Sequence, residues 1–240
     1  MMKGRTIFST MVLILTALFV TSCMNTDYTG QSAYGDAFIK SVMVNDSVIA
    51  YNLQLYTYSW SEMKAVNVYS GADALQIRLD TIDYKYTFAK ITDGEVYFPE
   101  PPIEDTYYFT VTFDNDEQIV VTDDLTALFI NPPQIILLEW DNVDKQIKLK
   151  WEPIEKAQFY SIALLATDGQ VAFETEMLDN TETEKWINKY TYGWHNNSKP
   201  EETTTYKIIL RAFLFEPIAS TFDIQSMSVN DLNSIEWKME

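Results

Sequence analysis

The segment Trp186-Ile187-Asn188-Lys189-Tyr190-Thr191-Tyr192-Gly193-Trp194-His195-Asn196-Asn197 gathers large aromatics, amides and the one histidine of the chain. Flat aromatic faces stack on the C–H faces of sugar rings, while amides and hydroxyls fix the sugar hydroxyls. Trp186, Tyr190, Tyr192, Trp194 and Asn196 on a loop would supply that chemistry. A plainer reading uses the same residues: Trp186 and Ile187 form a strand, and Tyr190, Tyr192 and Trp194 cover an open sandwich end. A second group holds Tyr51, Tyr56, Tyr58 and Trp60. Tyr56, Tyr58 and Trp60 recur at every second residue and so share one face of a strand. That face is either a stacking platform or, as expected of such stripes, inward packing.

Other chemistries are poorly supplied. Asp114, Asp116 and Glu117, with Asp123 and Asp124, could offer oxygens to calcium. An EF-type loop, however, needs glycine where Ile119 stands, so a charged hairpin turn is expected instead. Zinc sites draw on several cysteines or histidines, and this chain has only Cys23 and His195. No G-x-S-x-G elbow presents a serine nucleophile beside His195. The 7 glycines are never spaced as a phosphate-cradling loop. No metal or cofactor is expected. With 17 basic against 35 acidic residues the net charge is -18, a field that repels phosphate backbones and argues against nucleic acid. Hydrolysis by a carboxylate pair survives by number alone.

The elements that must position these residues are strands. Of the 240 residues 47% are hydrophobic and 14% aromatic, enough for real cores and biased toward sheet. Alternating apolar runs recur at 37–44, 75–79, 107–113, 118–122 and 206–213. Turn residues separate them, as at Asp93-Gly94, Asp114-Asn115-Asp116 and Asp168-Gly169. No helix-length stripe of 3.6-residue period interrupts the pattern. The expected fold is all-β, two tandem antiparallel β-sandwiches over 37–130 and 134–240. Asn131-Pro132-Pro133 is the linker between them, because proline cannot continue a ladder.

The second half resembles a fibronectin type III domain. Ile147-x-Leu149-x-Trp151-x-Pro153 looks like its strand B with an inward Trp, and Ala157-x-x-Tyr160-x-Ile162-x-Leu164 like strand C. Thr204-x-Tyr206-x-Ile208-x-Leu210-x-Ala212 is similar to strand F, with Tyr206 at the tyrosine-corner position. Residues 179–202 depart from that pattern in length and in their Trp and Tyr content. In the first half, Asp105-x-Tyr107-x-Phe109-x-Val111 resembles strand F of a bacterial Ig-like domain.

The N-terminus carries an address. Lys3 and Arg5 precede 14 apolar-rich residues, Ile7–Val20, too short to span a bilayer. Val20-Thr21-Ser22-Cys23 then resembles a bacterial lipobox, which implies cleavage before Cys23 and lipidation of its sulfur. Residues 1–22 are thus expected to be a lipoprotein signal peptide, and 23–36 a lipidated N-terminus and tether. The resemblance extends to accessory lipoproteins encoded beside glycan-uptake systems in gut anaerobes. It implies a non-catalytic binding or scaffold module anchored in the cell envelope, at the outer membrane, with a neutral glycan or a protein as partner. The alternatives are a protein-interaction or adhesin module and a carboxylate-pair hydrolase.

Overall fold

The computed structural model describes residues 30–45, 47–71, 76–90, 97–195, 200, 203–217 and 223–238. The signal segment 1–22, Cys23, the tether up to residue 29 and Asn196 lie outside the described residues.

The first half contributes β1 (Ala33–Asn45), β2 (Val48–Ser59), β3 (Met63–Ser70), β4 (Gln76–Arg78), β5 (Asp80–Asp83), β6 (Thr87–Ala89), β7 (Asp105–Phe113) and β8 (Gln118–Leu125). The second contributes β9 (Ile135–Asp141), β10 (Gln146–Trp151), β11 (Phe159–Leu165), β12 (Val171–Glu174), β13 (Leu178–Asp179), β14 (Glu184–Asn188), β15 (Thr205–Phe215), β16 (Ile224–Asn230) and β17 (Ser234–Glu236). The described residues of the apolar runs read from the sequence lie in or against these strands.

Among the described residues the strands form three sheets. A 10-stranded sheet runs β12-β11-β15-β16-β1-β2-β6-β5, with β13 on β11 and β17 on β15. A sheet of order β4-β3-β7-β8 packs on its first half, and one of order β14-β10-β9 on its second. The second sandwich therefore sets β9, β10 and β14 against β11, β12, β15 and β16, the two-sheet division of the Ig class. Ile147, Leu149 and Trp151 of β10 face Tyr160, Ile162 and Leu164 of β11 and Ile208 and Leu210 of β15 in one buried core. The ring centroids of Trp151 and Tyr160 lie 5.4 Å apart, and the Tyr160 hydroxyl accepts the Ile154 N–H at 2.8 Å. The first sandwich buries Tyr107, Phe109 and Val111 against Ile39, Leu55, Val66 and Val68. The chain is thus all-β, two sandwiches of the Ig and fibronectin type III kind in tandem.

The two cores share a sheet. β1 pairs antiparallel with β2 on one side and parallel with β16 on the other, from Ile39↔Ser226 to Val42↔Val229. A buried polar seam accompanies this joint: Ser41 Oγ donates to Ile130 O at 2.7 Å, and Asn230 Nδ2 donates to Pro133 O at 2.8 Å. Residues 126–134 thus run strand-free between β8 and β9, with Pro132 and Pro133 buried.

Two sequence expectations need correction. The tether does not reach residue 36, because β1 starts at Ala33. Ser-Ala-Tyr-Gly-Asp reads as loop, yet Gly35 is needed in the strand. A Cβ there would sit 2.6 Å from the buried Phe109 ring. Nor does the Tyr56-Tyr58-Trp60 face point inward. Leu55, Thr57 and Ser59 take the inner positions at 1%, 0% and 1% exposure, so the aromatics face out.

Candidate functional site

The 186–195 segment divides into three environments. Trp186 lies on β14 with its ring half exposed, and Lys148 Nζ rests 5.6 Å from the ring centroid. Beyond β14 the chain turns tightly. Asn188 Oδ1 accepts the Tyr190 N–H at 2.8 Å, Thr191 Oγ1 accepts the Asn188 N–H at 2.9 Å, and the Thr191 N–H reaches Asn188 O at 3.1 Å. This locked turn projects Tyr190 and Tyr192 into solvent at 81% and 82% exposure.

Gly193 then brings the chain back. Its φ is +124°, and a Cβ there would lie 2.3 Å from Glu174 O. The Glu174 N–H donates to Gly193 O at 3.0 Å, and Phe173 bridges to Trp194. Trp194 consequently packs against the core, with ring centroids 5.1 Å from Phe173, 5.4 Å from Trp237 and 5.9 Å from Tyr206. Its indole N–H donates to Asn188 O at 3.0 Å. Trp194 is therefore a structural residue that supports the turn. Trp186 stands apart, whereas Trp194 both covers the core, as in the plainer reading, and lines one hollow with Tyr190 and Tyr192.

What remains is a compact site. Tyr190 and Tyr192 border an open hollow of about 780 Å³, with Glu174, Glu176, Lys189 and His195 also at its wall. Glu174 is engaged by Arg211, Nη1 to Oε1 at 2.8 Å, and Lys189 Nζ lies 5.0 Å from the Tyr190 centroid. On the far side of Tyr190 and Lys189 is a smaller notch of about 160 Å³, lined also by Trp140, Asp144, Lys145, Asn188 and Trp237. The hollow offers exposed aromatic faces with a mixed polar rim, an arrangement suited to holding a ligand with one apolar face.

Two of the five acids in the calcium reading, Asp114 and Asp116, are engaged by lysines. In the β7–β8 turn, Asp114 pairs with Lys85 of the β5–β6 turn at 2.8 Å and Asp116 with Lys64 of β3 at 2.5 Å. Lys85 holds the Asp114 carboxyl below the usual range.

One cluster was invisible to sequence reasoning. Asp36, Asp123 and Glu216 converge beside the β1–β16 joint, with Asp223 near. Asp36 Oδ2 accepts the Ile224 N–H at 3.2 Å, and Asp123 Oδ2 accepts the Ala37 N–H at 2.6 Å. Burial pushes the Asp36 carboxyl up to about 8 and Glu216 to about 7, reinforced by the neighbouring acids. Burial also raises Asp123. Asp36 Oδ1 and Glu216 Oε1 are buried with no hydrogen-bond partner among the described residues. These acids line neither the hollow nor the notch.

No family model and no curated protein matches the chain. Among solved structures it is similar to a cytokine receptor complex, at 12% identity over 78% of this chain and 92% of that one, with a TM-score of 0.34. It is also similar to a two-domain fibronectin type III segment of chicken tenascin, at 8% identity over 85% of this chain and 99% of that one, TM-score 0.31. The BSP domain of a biofilm-associated protein is matched at 16% identity over 85% of this chain and 29% of that one, TM-score 0.23.

Proposed function

We propose that this chain is a non-catalytic module of the bacterial cell envelope, lipid-anchored through Cys23 at the outer membrane, that binds a neutral glycan beside Tyr190 and Tyr192. The observation that carries the binding role is the pair of tyrosines held in solvent by a hydrogen-bonded turn at the lip of the hollow. Water-exposed rings fixed in place gain from covering by an apolar ligand face, and the ordering cost is already met by the turn. The net charge of -18 favours an uncharged glycan over an acidic one. The anchor is supported by Lys3, Arg5, the apolar 7–20 segment and Val20-Thr21-Ser22-Cys23.

The test is calorimetry of the full chain in detergent against neutral and uronate-rich oligosaccharides. Neutral ligands should bind at roughly mM to μM, and Tyr190→Ala/Tyr192→Ala should remove binding at the hollow. Stability should move by no more than about 0.5 kcal/mol, as for exposed side chains. Binding untouched by the double substitution would sink this placement. For the anchor, Cys23→Ser should abolish labelling by a palmitate analogue, and an unlabelled wild type would refute lipidation.

A protein-interaction role has its own observation. β5 closes one end of the 10-stranded sheet and leaves Ile82 at 55% exposure beside Tyr84 at 86%. An open edge of this kind accepts an added strand.

A further inference from the structure

The outward turn of β2 creates a second aromatic surface, on the first sandwich and independent of the hollow. Tyr58 sits directly opposite Tyr34 of β1 in the ladder, so the two share the solvent face. Tyr56 lies two residues before Tyr58 on the same face. Trp60 follows at 77% exposure, its centroid 5.1 Å from Tyr58 and its plane at 78° to it. Tyr34 and Tyr56 are exposed at 49% and 38%. The result is a corner: a floor of tyrosines and a wall formed by the Trp60 ring.

The corner is held before any ligand arrives. Ser59, fully inside, accepts the Ser61 N–H at 2.9 Å on its hydroxyl and donates that hydroxyl to Ser32 O at 2.7 Å. The Ser59 N–H donates to Tyr86 O at 3.0 Å. These bonds fix the bend that carries Trp60. A tryptophan kept this far in water on a fixed backbone contributes little to folding, which separates the corner from the cross-strand pairs that merely stabilise a sheet.

Area and charge select the occupant. An aromatic side chain covers about 150–250 Å² when fully buried, so at these exposures the four rings offer roughly 400 Å². That is about half of what one partner gives to a standard protein interface. A second copy of this chain would also bring a further charge of -18 against the first. We infer that the Tyr34-Tyr56-Tyr58-Trp60 corner is a carbohydrate-binding site for an uncharged hexopyranose chain, with one sugar ring against Trp60 and its hydroxyls hydrogen-bonded to the phenols of the floor. Burial and the neighbouring Tyr56 raise the Tyr58 phenol, which keeps it a neutral donor.

The experiment uses the full chain in detergent carrying Tyr190→Ala/Tyr192→Ala, so that the hollow is silent. Neutral hexaoses of glucose, mannose and galactose are titrated by calorimetry and by tryptophan fluorescence. At least one should bind and perturb the fluorescence. Adding Trp60→Ala should weaken it at least tenfold with no change in melting temperature, and Trp60→Phe should restore most of the affinity. Binding that is already lost with the two hollow tyrosines overturns this site and leaves the hollow standing. Binding that survives in wild type but ignores Trp60→Ala in either background also overturns it. No binding by any neutral hexaose to wild type overturns both sites together. A melting temperature lowered by several degrees in Trp60→Ala assigns the corner a structural role. Dimers in sedimentation that dissolve on Trp60→Ala assign it to self-association.

Discussion

Trp194 shows how position in the chain and position in space part company. It follows a loop and belongs to no alternating run, so the sequence left it between a stacking loop and the cover of a sandwich end; Gly193 turns it into a cluster with Phe173, Tyr206 and Trp237. Trp194→Ala should destabilise the second sandwich by about 2–4 kcal/mol, through lost ring packing and the loss of the indole N–H bond to Asn188 O. Trp151→Ala, wholly buried, should cost more, about 3–5 kcal/mol. Urea unfolding of the two variants checks the order, and a Trp194→Ala protein as stable as wild type would return that ring to the solvent. Trp151 was legible because alternation with Ile147 and Leu149 fixes a shared face. Tyr56, Tyr58 and Trp60 were read to the right period and the wrong side. Alternation groups residues by face but does not say which face meets the core. Only the paired inner residues Leu55, Thr57 and Ser59 decide it, and two of those are polar.

At the scale of elements, β1 carries the most consequence. It lies at the centre of the 10-stranded sheet, and its early residues also meet the opposing sheet through Phe109. Gly35→Ala should therefore destabilise by about 1–3 kcal/mol, because the new methyl meets a ring that is itself fully buried. The double variant Gly35→Ala/Phe109→Leu should recover part of the loss. Thermal unfolding of the single and double variants reads this directly, and a neutral Gly35→Ala would mean that Phe109 yields without cost. Strands such as β7, β10, β11 and β15 were legible because local alternation specifies them. The parallel pairing of β1 with β16 was not, since its partners, Ile39 and Ser226, lie far apart in the chain and buried serines give no sequence signal of a joint. The hydrogen-bonded turn at 188–191 was equally hidden, although Asn188 and Thr191 are residues that commonly make such bonds.

Over the whole molecule, acidity concentrates where the two sandwiches meet. Asp36 ties β1 to the start of β16, Asp123 of β8 ties to Ala37, and Glu216 hydrogen-bonds Asp123. The further charges acting on them, Asp223 and Asp124, are acidic too. A carboxyl that hydrogen-bonds another carboxyl, as Glu216 does Asp123, needs a proton between them; with values raised to about 7 at Glu216 and about 8 at Asp36, the folded state keeps about half of the first proton and most of the second at neutral pH. The unfolded chain releases them near its ordinary values, about 4. Between about pH 4 and pH 8 the native state thus binds more protons than the unfolded one, so stability falls as pH rises. The contribution is fully present below pH 4 and lost through the folded values of 7 to 8. Asp141, held down to about 2 chiefly by Lys148, works in the opposite sense and loses its contribution only as pH falls from about 4 toward 2. The two trends place maximal stability in acid, at about pH 4, where the Asp141 contribution is complete and the loss from Asp36 and Glu216 has only begun. Chemical unfolding at pH 5 and pH 8 should show a loss of at least about 1.4 kcal/mol at the higher pH, the equivalent of one unit and a conservative figure because Glu216 is partly exposed. Asp36→Asn removes the largest of these titrations while keeping the acceptor for Ile224. It should stabilise the protein at pH 8 and flatten the slope, with little effect at pH 5. Equal stability at both pH values in the wild type would show that these carboxyls ionise freely in the fold. A slope abolished by millimolar calcium would instead show that they hold a cation rather than protons.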